Sequence, residues 1–414
     1  MYSRKRLDMG WLDVVAGFGF VVGAGLNREP QVTLEQTWSP RGQALACLSV
    51  RSGFDLLLGC QDWPEGSELV MTAITIPDMV RIVEHHGFAA IPVDVAVDSL
   101  ESDIEAIERA IGPKTRAIVV AHLFGTRHEI GPIAKLARAH GLLLIEDCAQ
   151  AFDGLDYRGD ERADVSMFSF GTIKTATALG GALLTVRRPA LLEAMAKRQA
   201  DYPLQPRRKY LAKLIRCVAM MALSPAFAYG LLVASLGALG QDYDAVVRNL
   251  VRGFSGPSFI DAIRHRPCLA LLSMLERRLR SPLTERRLRA RAAASRELAE
   301  ALGTSLQYFG ERAQPHTFWL FAVVVENPEP LIQRLREAGF DATSGGSTLV
   351  ATGSNGLAAT LAPAASLAMA QIVYIPVYAQ MSARARRRLA QVVNAQAQPL
   401  RTVQSEPMHQ DNAA

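Results

Sequence analysis

A single lysine, Lys174, closes the stretch Phe168-Ser169-Phe170-Gly171-Thr172-Ile173-Lys174, and the pair Gly180-Gly181 follows. Upstream, an apolar run at 142–145 ends in Glu146-Asp147-Cys148-Ala149-Gln150. A lysine and an aspartate presented at the ends of buried strands suit pyridoxal phosphate. The amine forms a Schiff base with the cofactor aldehyde, and the carboxylate keeps the pyridine nitrogen protonated so that the ring draws in electrons. Desolvation lowers a lysine pKa and favours the imine. Gln150 reaches the same pocket as a hydrogen-bond donor. Ser52-Gly53 precedes the apolar helical run 54–58, where backbone amides at a helix start would cradle a phosphate. Asp55, in that first turn, would repel a phosphate and should point away. Each feature has a plainer reading alone: a surface lysine, an aspartate capping a helix, a serine-glycine turn. Their combination is what points to a cofactor.

The elements that must hold these residues alternate. Strand-like runs fall at 68–72, 89–93, 116–121, 142–146, 165–170 and 181–186, with helical periodicity at 78–86, 100–111, 130–140 and 190–200. Such alternation predicts an α/β fold with a mostly parallel sheet sandwiched by helices and its ligand at the carboxyl ends of the strands. Residues 46–200 form the large cofactor-binding domain on this reading. A connecting helix, 267–302, leads to a smaller α+β domain within 257–395, with strands at 316–325, 347–351 and 372–377 and helices at 329–339 and 382–394. The tail 396–414 is polar and reads as disordered.

Composition is globular: 414 residues, 49% hydrophobic, 21% charged, net charge +5. Arginines at 277–292 interleave with Glu and apolar residues at helical spacing, which reads as a solvated helix face rather than a nucleic-acid patch. The five cysteines are scattered without a C-x-x-C pair, so no disulfide framework or metal site is indicated and a reducing, cytoplasmic setting fits. Two apolar segments complicate that setting. Residues 1–45 open with Arg4, Lys5 and Arg6 and then run apolar to Leu26. Val22-Gly23-Ala24 resembles a signal cleavage site, but Asp13 favours a docking helix. Residues 201–256 are an apolar insertion whose core, 217–241, carries no charge and follows a basic stretch. Pro225 and small residues predict two short helices there, forming a peripheral contact with the inner face of a membrane or a buried interface.

Taken together, Ser52-Gly53, the Glu146–Gln150 stretch and Phe168-Ser169-Phe170-x-x-x-Lys174 with Gly180-Gly181 resemble the DegT/DnrJ/StrS family of pyridoxal-phosphate-dependent aminotransferases of fold type I. His122-Leu123-Phe124-Gly125 and Ile375-Pro376-Val377-Tyr378 match in kind. The resemblance implies that Lys174 is the Schiff-base lysine and proton shuttle, and that Asp147 pairs with the pyridine nitrogen. It places Gln150 beside the ring, and Ser169 with the amides of Gly53 and Phe54 on the phosphate. It implies a homodimer, an amino donor (glutamate in this reading) and a keto or aldehyde acceptor, a nucleotide- or lipid-linked sugar. The chain departs from the pattern: Phe54 stands where the family has Thr, Ile76 where an aromatic stacks on the ring, and the Asn-Tyr-Arg segment is missing, with Arg264-His265-Arg266 as a substitute. The departures leave a second reading, a catalytically inactive or regulatory protein of the same fold associated with membrane.

Overall fold

The computed structural model describes residues 1–414 except 5, 24–28, 252–257, 304–305, 346–348 and 396–414, and the side chains of 248–251. The tail expected to be disordered lies outside the described residues. Helices α1 (Trp11–Val22) and α2 (Pro30–Trp38) lead to β1 (Ala44–Cys47), α3 (Val50–Leu58), β2 (Glu68–Thr72) and β3 (Ile74–Thr75). Then follow α4 (Pro77–His85), β4 (Ala89–Val93), α5 (Ile104–Ala110), β5 (Thr115–Ala121), α6 (Ile130–Ala139), β6 (Leu143–Asp147), β7 (Val165–Ser169) and β8 (Ala182–Val186). Seven strands form one sheet in the order β1-β8-β7-β6-β5-β2-β4. From β7 through β6, β5 and β2 to β4 the pairing is parallel, while β8 is antiparallel to both β7 and β1.

Beyond the sheet come α7 (Pro189–Ala200), α8 (Arg207–Ala222), α9 (Ala226–Ala238), α10 (Tyr243–Val251), α11 (Phe259–Ile263), α12 (Leu269–Leu279) and α13 (Pro282–Leu302). The expected single connecting helix is two. Pro282 lacks a backbone N–H, so α12 stops before it and α13 restarts with it in the first turn. The chain closes with β9 (Phe321–Val324), α14 (Pro328–Glu337), β10 (Val350–Ala351), α15 (Ala358–Leu361), α16 (Pro363–Ala370), β11 (Ile372–Ile375) and α17 (Ala383–Asn394). β9 and β11 pair antiparallel. The segment expected as a third strand of that unit departs from expectation: β10 pairs with β3, so Val350 lies opposite Thr75.

Side chains alternate across the sheet, and that sets both cores. On β7, Met167 packs with Phe54, Ile145 and Leu184, while Phe168 faces Trp38, Phe152 and Leu183. Trp38 sits edge-on to Phe168 at 5.0 Å and donates through Nε1 to Thr185 Oγ1 at 3.0 Å. Asp147 and Ser169 share parity with Ile145 and Met167, so both emerge on the α3 side.

The arginine run is solvated as expected at Arg277, Arg280, Arg286 and Arg289, with one departure. Arg278 is fully buried. It pairs with Asp13 of α1 at 2.8 Å, and Arg277 reaches the same carboxylate at 3.0 Å. Helical spacing cannot tell a solvated arginine from one facing a carboxylate brought from far along the chain. These pairs join α1 to α12.

Candidate active site

Strand registers bring the predicted residues to one edge. Cys47 of β1 and Ser169 of β7 both lie opposite Ala182 of β8, so β1 and β7 end together and α3 begins at that end. Asp147 closes β6 beside Met167. Lys174 follows Ser169 by one turn of loop, with its amide donating to Gly171 O at 2.9 Å. Gln150 sits just past Asp147. Lys174, Asp147, Gln150, Ser169 and the start of α3 therefore line the carboxyl edge of the sheet, where ligands bind in open α/β folds.

The electrostatics of the pair are unusual. Burial pulls the Lys174 ammonium down to about 7, with Arg51 adding to the effect and Asp147 opposing it. Burial likewise holds the Asp147 carboxyl above its ordinary range, against the Ala149 amide and the charge of Lys174. Asp147 Oδ1 accepts the Ala149 amide at 3.0 Å, and Oδ2 accepts no hydrogen bond among the described residues. The Lys174 amine makes no hydrogen bond or ion pair there either. It lies over the ring of Trp319, 3.9 Å from the centroid, and Trp319 Nε1 donates to Ile173 O at 3.1 Å. Gln150 Oε1 accepts the Phe124 amide at 2.8 Å, which leaves its Nε2 as the donor. Ser169 Oγ accepts only a long bond from the Gly171 amide, 3.4 Å.

Three expectations are corrected. The helix does not begin at Gly53: Ser49 caps α3, accepting the Ser52 amide at 3.1 Å, and the Gly53 amide donates to Ser49 O at 3.0 Å. That amide is engaged within the helix, and Phe54 is buried in the core one residue on. Gly53 is needed for packing instead, because a Cβ there would meet Leu184 Cδ1 at 2.8 Å. Arg264 does not replace the missing Asn-Tyr-Arg segment, since it pairs with Asp55 through Nε and Nη2, each at 2.9 Å. His86 holds the same carboxylate at 3.0 Å, so Asp55 does point away from the site as anticipated. Ile76 caps the start of α4 and is packed into the cores on either side of it.

Sequence reasoning missed Trp319, Arg51, Arg291 and Asp8. Arg51, in the first turn of α3, pairs with Asp78 at 2.6 Å. Arg291 donates to Thr175 Oγ1 and Thr317 O, each at 3.1 Å. Asp8 accepts the Ala176 amide at 2.7 Å. The loop from 173 to 177 is thus gripped by residues distant in sequence, a pattern with no local signal.

Glu146 faces away from Asp147 and organises a second network. Oε1 accepts His122 Nε2 at 2.9 Å and the Tyr157 hydroxyl at 2.6 Å, and Oε2 accepts Ser166 Oγ at 2.6 Å and the Asp160 amide at 2.8 Å. His122, Glu146 and Cys148 bring one ligand atom each within 4.8 Å. Four hydrogen bonds already fill the carboxylate, and burial pushes the Cys148 thiol far up, so this cluster is a structural buttress under Asp147.

Residues 37–210 match the DegT/DnrJ/EryC1/StrS aminotransferase family. Curated relatives include the GDP-perosamine synthase of Caulobacter vibrioides, 30% identical over 170 residues, 40% of this chain and 45% of that protein. The GDP-perosamine synthase of Escherichia coli O157:H7 is 33% identical over 132 residues, 31% of this chain and 36% of that protein. The chain matches less than half the length of these relatives. Solved aminotransferase structures align over nearly its full length. They include the aminotransferase TlmJ from Streptoalloteichus hindustanus (TM-score 0.66, 17% identity, 94% of this chain and 96% of that one) and Helicobacter pylori PseC, an aminotransferase of pseudoaminic acid biosynthesis (0.67, 16%, 95% and 97%). At such identities the likeness establishes the fold, that of the fold type I enzymes.

Proposed function

We propose that the protein is a pyridoxal-phosphate-dependent aminotransferase that moves an amino group, with glutamate as donor, onto the keto or aldehyde carbon of a sugar. The observation that carries this reading is the pair at the sheet edge: an amine with no hydrogen bond or ion pair among the described residues, pulled down to about 7, beside a half-buried carboxylate with one oxygen open. The residues fit the cofactor. In this reading Asp147 Oδ2 would hold a pyridinium nitrogen, Gln150 Nε2 would meet the ring's phenolic side, and Ser169 Oγ with the first amides of α3 would hold a phosphate. Bound pyridoxal phosphate supplies an aldehyde for the lysine amine and a ring that withdraws electrons from the substrate carbon. The chain's own part is then threefold. Lys174 binds the group and carries a proton at Nζ, Asp147 keeps the ring nitrogen protonated, and Trp319 shields the amine from water.

Several supports bear on the finer reading. The relatives' names concern a nucleotide-linked sugar, so a sugar acceptor follows for this chain as a proposal. The family's habit of building sites from two copies makes a homodimer part of it. The acceptor is proposed to be nucleotide- or lipid-linked, the second form being supported by the exposed apolar residues of the insertion. Among the described residues no single helix is long and apolar enough to cross a membrane, and α8 and α9 meet at 102°. Thirteen-residue α9 reaches only about 20 Å at 1.5 Å per residue, too short to cross a membrane by itself, which supports a contact along the surface. Phe227, Leu231 and Leu239 are exposed on it or just past it, and Trp11, Leu12, Val15 and Val22 on α1. Exposed Arg207, Arg208, Lys209 and Arg216 on α8 complement anionic headgroups.

The test of the core reading is spectral. Protein purified with pyridoxal phosphate should show the absorbance of the lysine-bound cofactor, lose it in Lys174→Ala, and convert it on adding glutamate. A cofactor band that ignores every amino donor would instead favour the inactive or regulatory alternative. For the surface, flotation with phosphatidylglycerol-containing vesicles should recover the protein, and Phe227→Glu with Leu231→Glu should abolish recovery. Recovery unchanged by that pair would place the helices in a subunit interface.

A further inference from the structure

The N-terminal arm touches two segments far apart in the chain. Near its start, the Tyr2 amide donates to Gly339 O at 2.7 Å, and the Asp341 amide donates to Tyr2 O at 2.9 Å. The Tyr2 ring stacks on Phe340 with centroids 5.5 Å apart. Arg4 pairs with fully buried Asp341 through Nε and Nη2, each at 2.8 Å. At the arm's other end, Asp8 Oδ2 accepts the amide of Ala176, two residues past Lys174, at 2.7 Å. Ala176 has φ +51°, in the left-handed region that a residue with a Cβ enters only when its surroundings hold it there.

Asp8 is itself locked. Its Oδ1 lies 3.4 Å from Arg278 Nη2 and 3.3 Å from Arg287 Nη1, and its carbonyl accepts Arg278 Nη2 at 2.7 Å. Arg278 Nε in turn donates to Thr177 O at 3.2 Å. A carboxylate held by two guanidiniums and aimed at one backbone amide makes a short, strong hydrogen bond.

We infer that Asp8 is a positioning residue for Lys174. It holds Ala176 in its left-handed turn and thereby fixes the amine relative to Asp147, and the arm fastens that turn to the unit carrying Asp341. The inference rests on the proposed role of Lys174, and its test separates the two. In full-length protein, Asp8→Ala should accelerate amide exchange across 170–181 by about tenfold, the change that one lost charge-assisted hydrogen bond produces. It should also shift the pH midpoint of the bound-cofactor absorbance. Asp8→Asn keeps an acceptor without the charge, so both readouts should move the same way by less, and it serves if the alanine variant does not fold. Wild-type exchange over 170–181 in either folded variant, or an unmoved midpoint, would overturn the inference. Exchange is read without cofactor, so a chain that never binds pyridoxal phosphate would fail the functional reading while still reporting on Asp8.

Discussion

Trp319 covers the amine of Lys174, with Nζ 3.9 Å from the ring centroid, although the two residues stand 145 positions apart in the chain. The indole also bonds the carbonyl of Ile173, the residue just before that lysine. One side chain therefore both holds the loop and covers the amine. Trp319→Ala should let solvent in and raise the Lys174 pKa from about 7 by on the order of one unit, because burial is the main cause of its depression. The pH dependence of pyridoxal phosphate uptake by the apo-protein reads this directly. An unmoved midpoint would show that the ring does not shield the amine.

The same depression has a consequence for stability. In the unfolded chain Lys174 titrates near 10.5, and in the folded apo-protein near 7. Below pH 7 the folded protein carries a buried charge at full cost. As pH rises from 7 to 10.5 the unfolded chain holds the extra proton, so stability rises and the cost fades. Lys174→Met should therefore raise the melting temperature of the apo-protein at pH 6, with the gap closing toward pH 10. A gap constant across that range would contradict the depressed pKa.

Asp147→Asn keeps the shape of the pocket but removes the charge that would hold a ring nitrogen protonated. The variant should still bind the cofactor, and kcat for transamination should fall on the order of 10²–10³-fold, as when one preorganised electrostatic group is lost. Single-turnover spectra with glutamate measure it. Near wild-type conversion would remove Asp147 from the reaction.

Gly159 sits at φ +95°, and a Cβ there would lie 1.9 Å from Ser166 Oγ, inside the network around Glu146. Gly159→Ala should cost roughly 2–4 kcal/mol through backbone strain and overpacking of a buried hydrogen-bonded cluster. Chemical denaturation would register it. A loss under 1 kcal/mol, by contrast, would mean that the loop relaxes freely.

Much of the large sheet is legible in the chain. The runs at 68–72 and 89–93 coincide with β2 and β4, and those at 116–121, 142–146, 165–170 and 181–186 differ from β5, β6, β7 and β8 by a residue or so at the ends. Buried parallel strands announce themselves as continuous apolar runs, and helices between them by their period. Edge strand β1 escaped notice because four residues, Ala44–Cys47, carry too short a pattern. β10 joins β3 rather than the strands of the smaller unit, and strand propensity says nothing about which edge a strand joins.

The sequence by itself determined which chemistry is present: one lysine after a serine-bearing strand, one aspartate at a strand end, and a family pattern joining them. These signals are local, since strand parity and strand ends follow from neighbouring residues alone. Only the tertiary structure decided how those groups behave. The depressed amine of Lys174, the cover from Trp319, the grip of Asp8 on Ala176 and the diversion of Arg264 to Asp55 all join residues far apart in the chain. Burial and charge pairing are properties of three-dimensional neighbourhoods, so an arginine that reads as solvated can lie fully buried, as Arg278 does, once folding brings Asp13 to meet it.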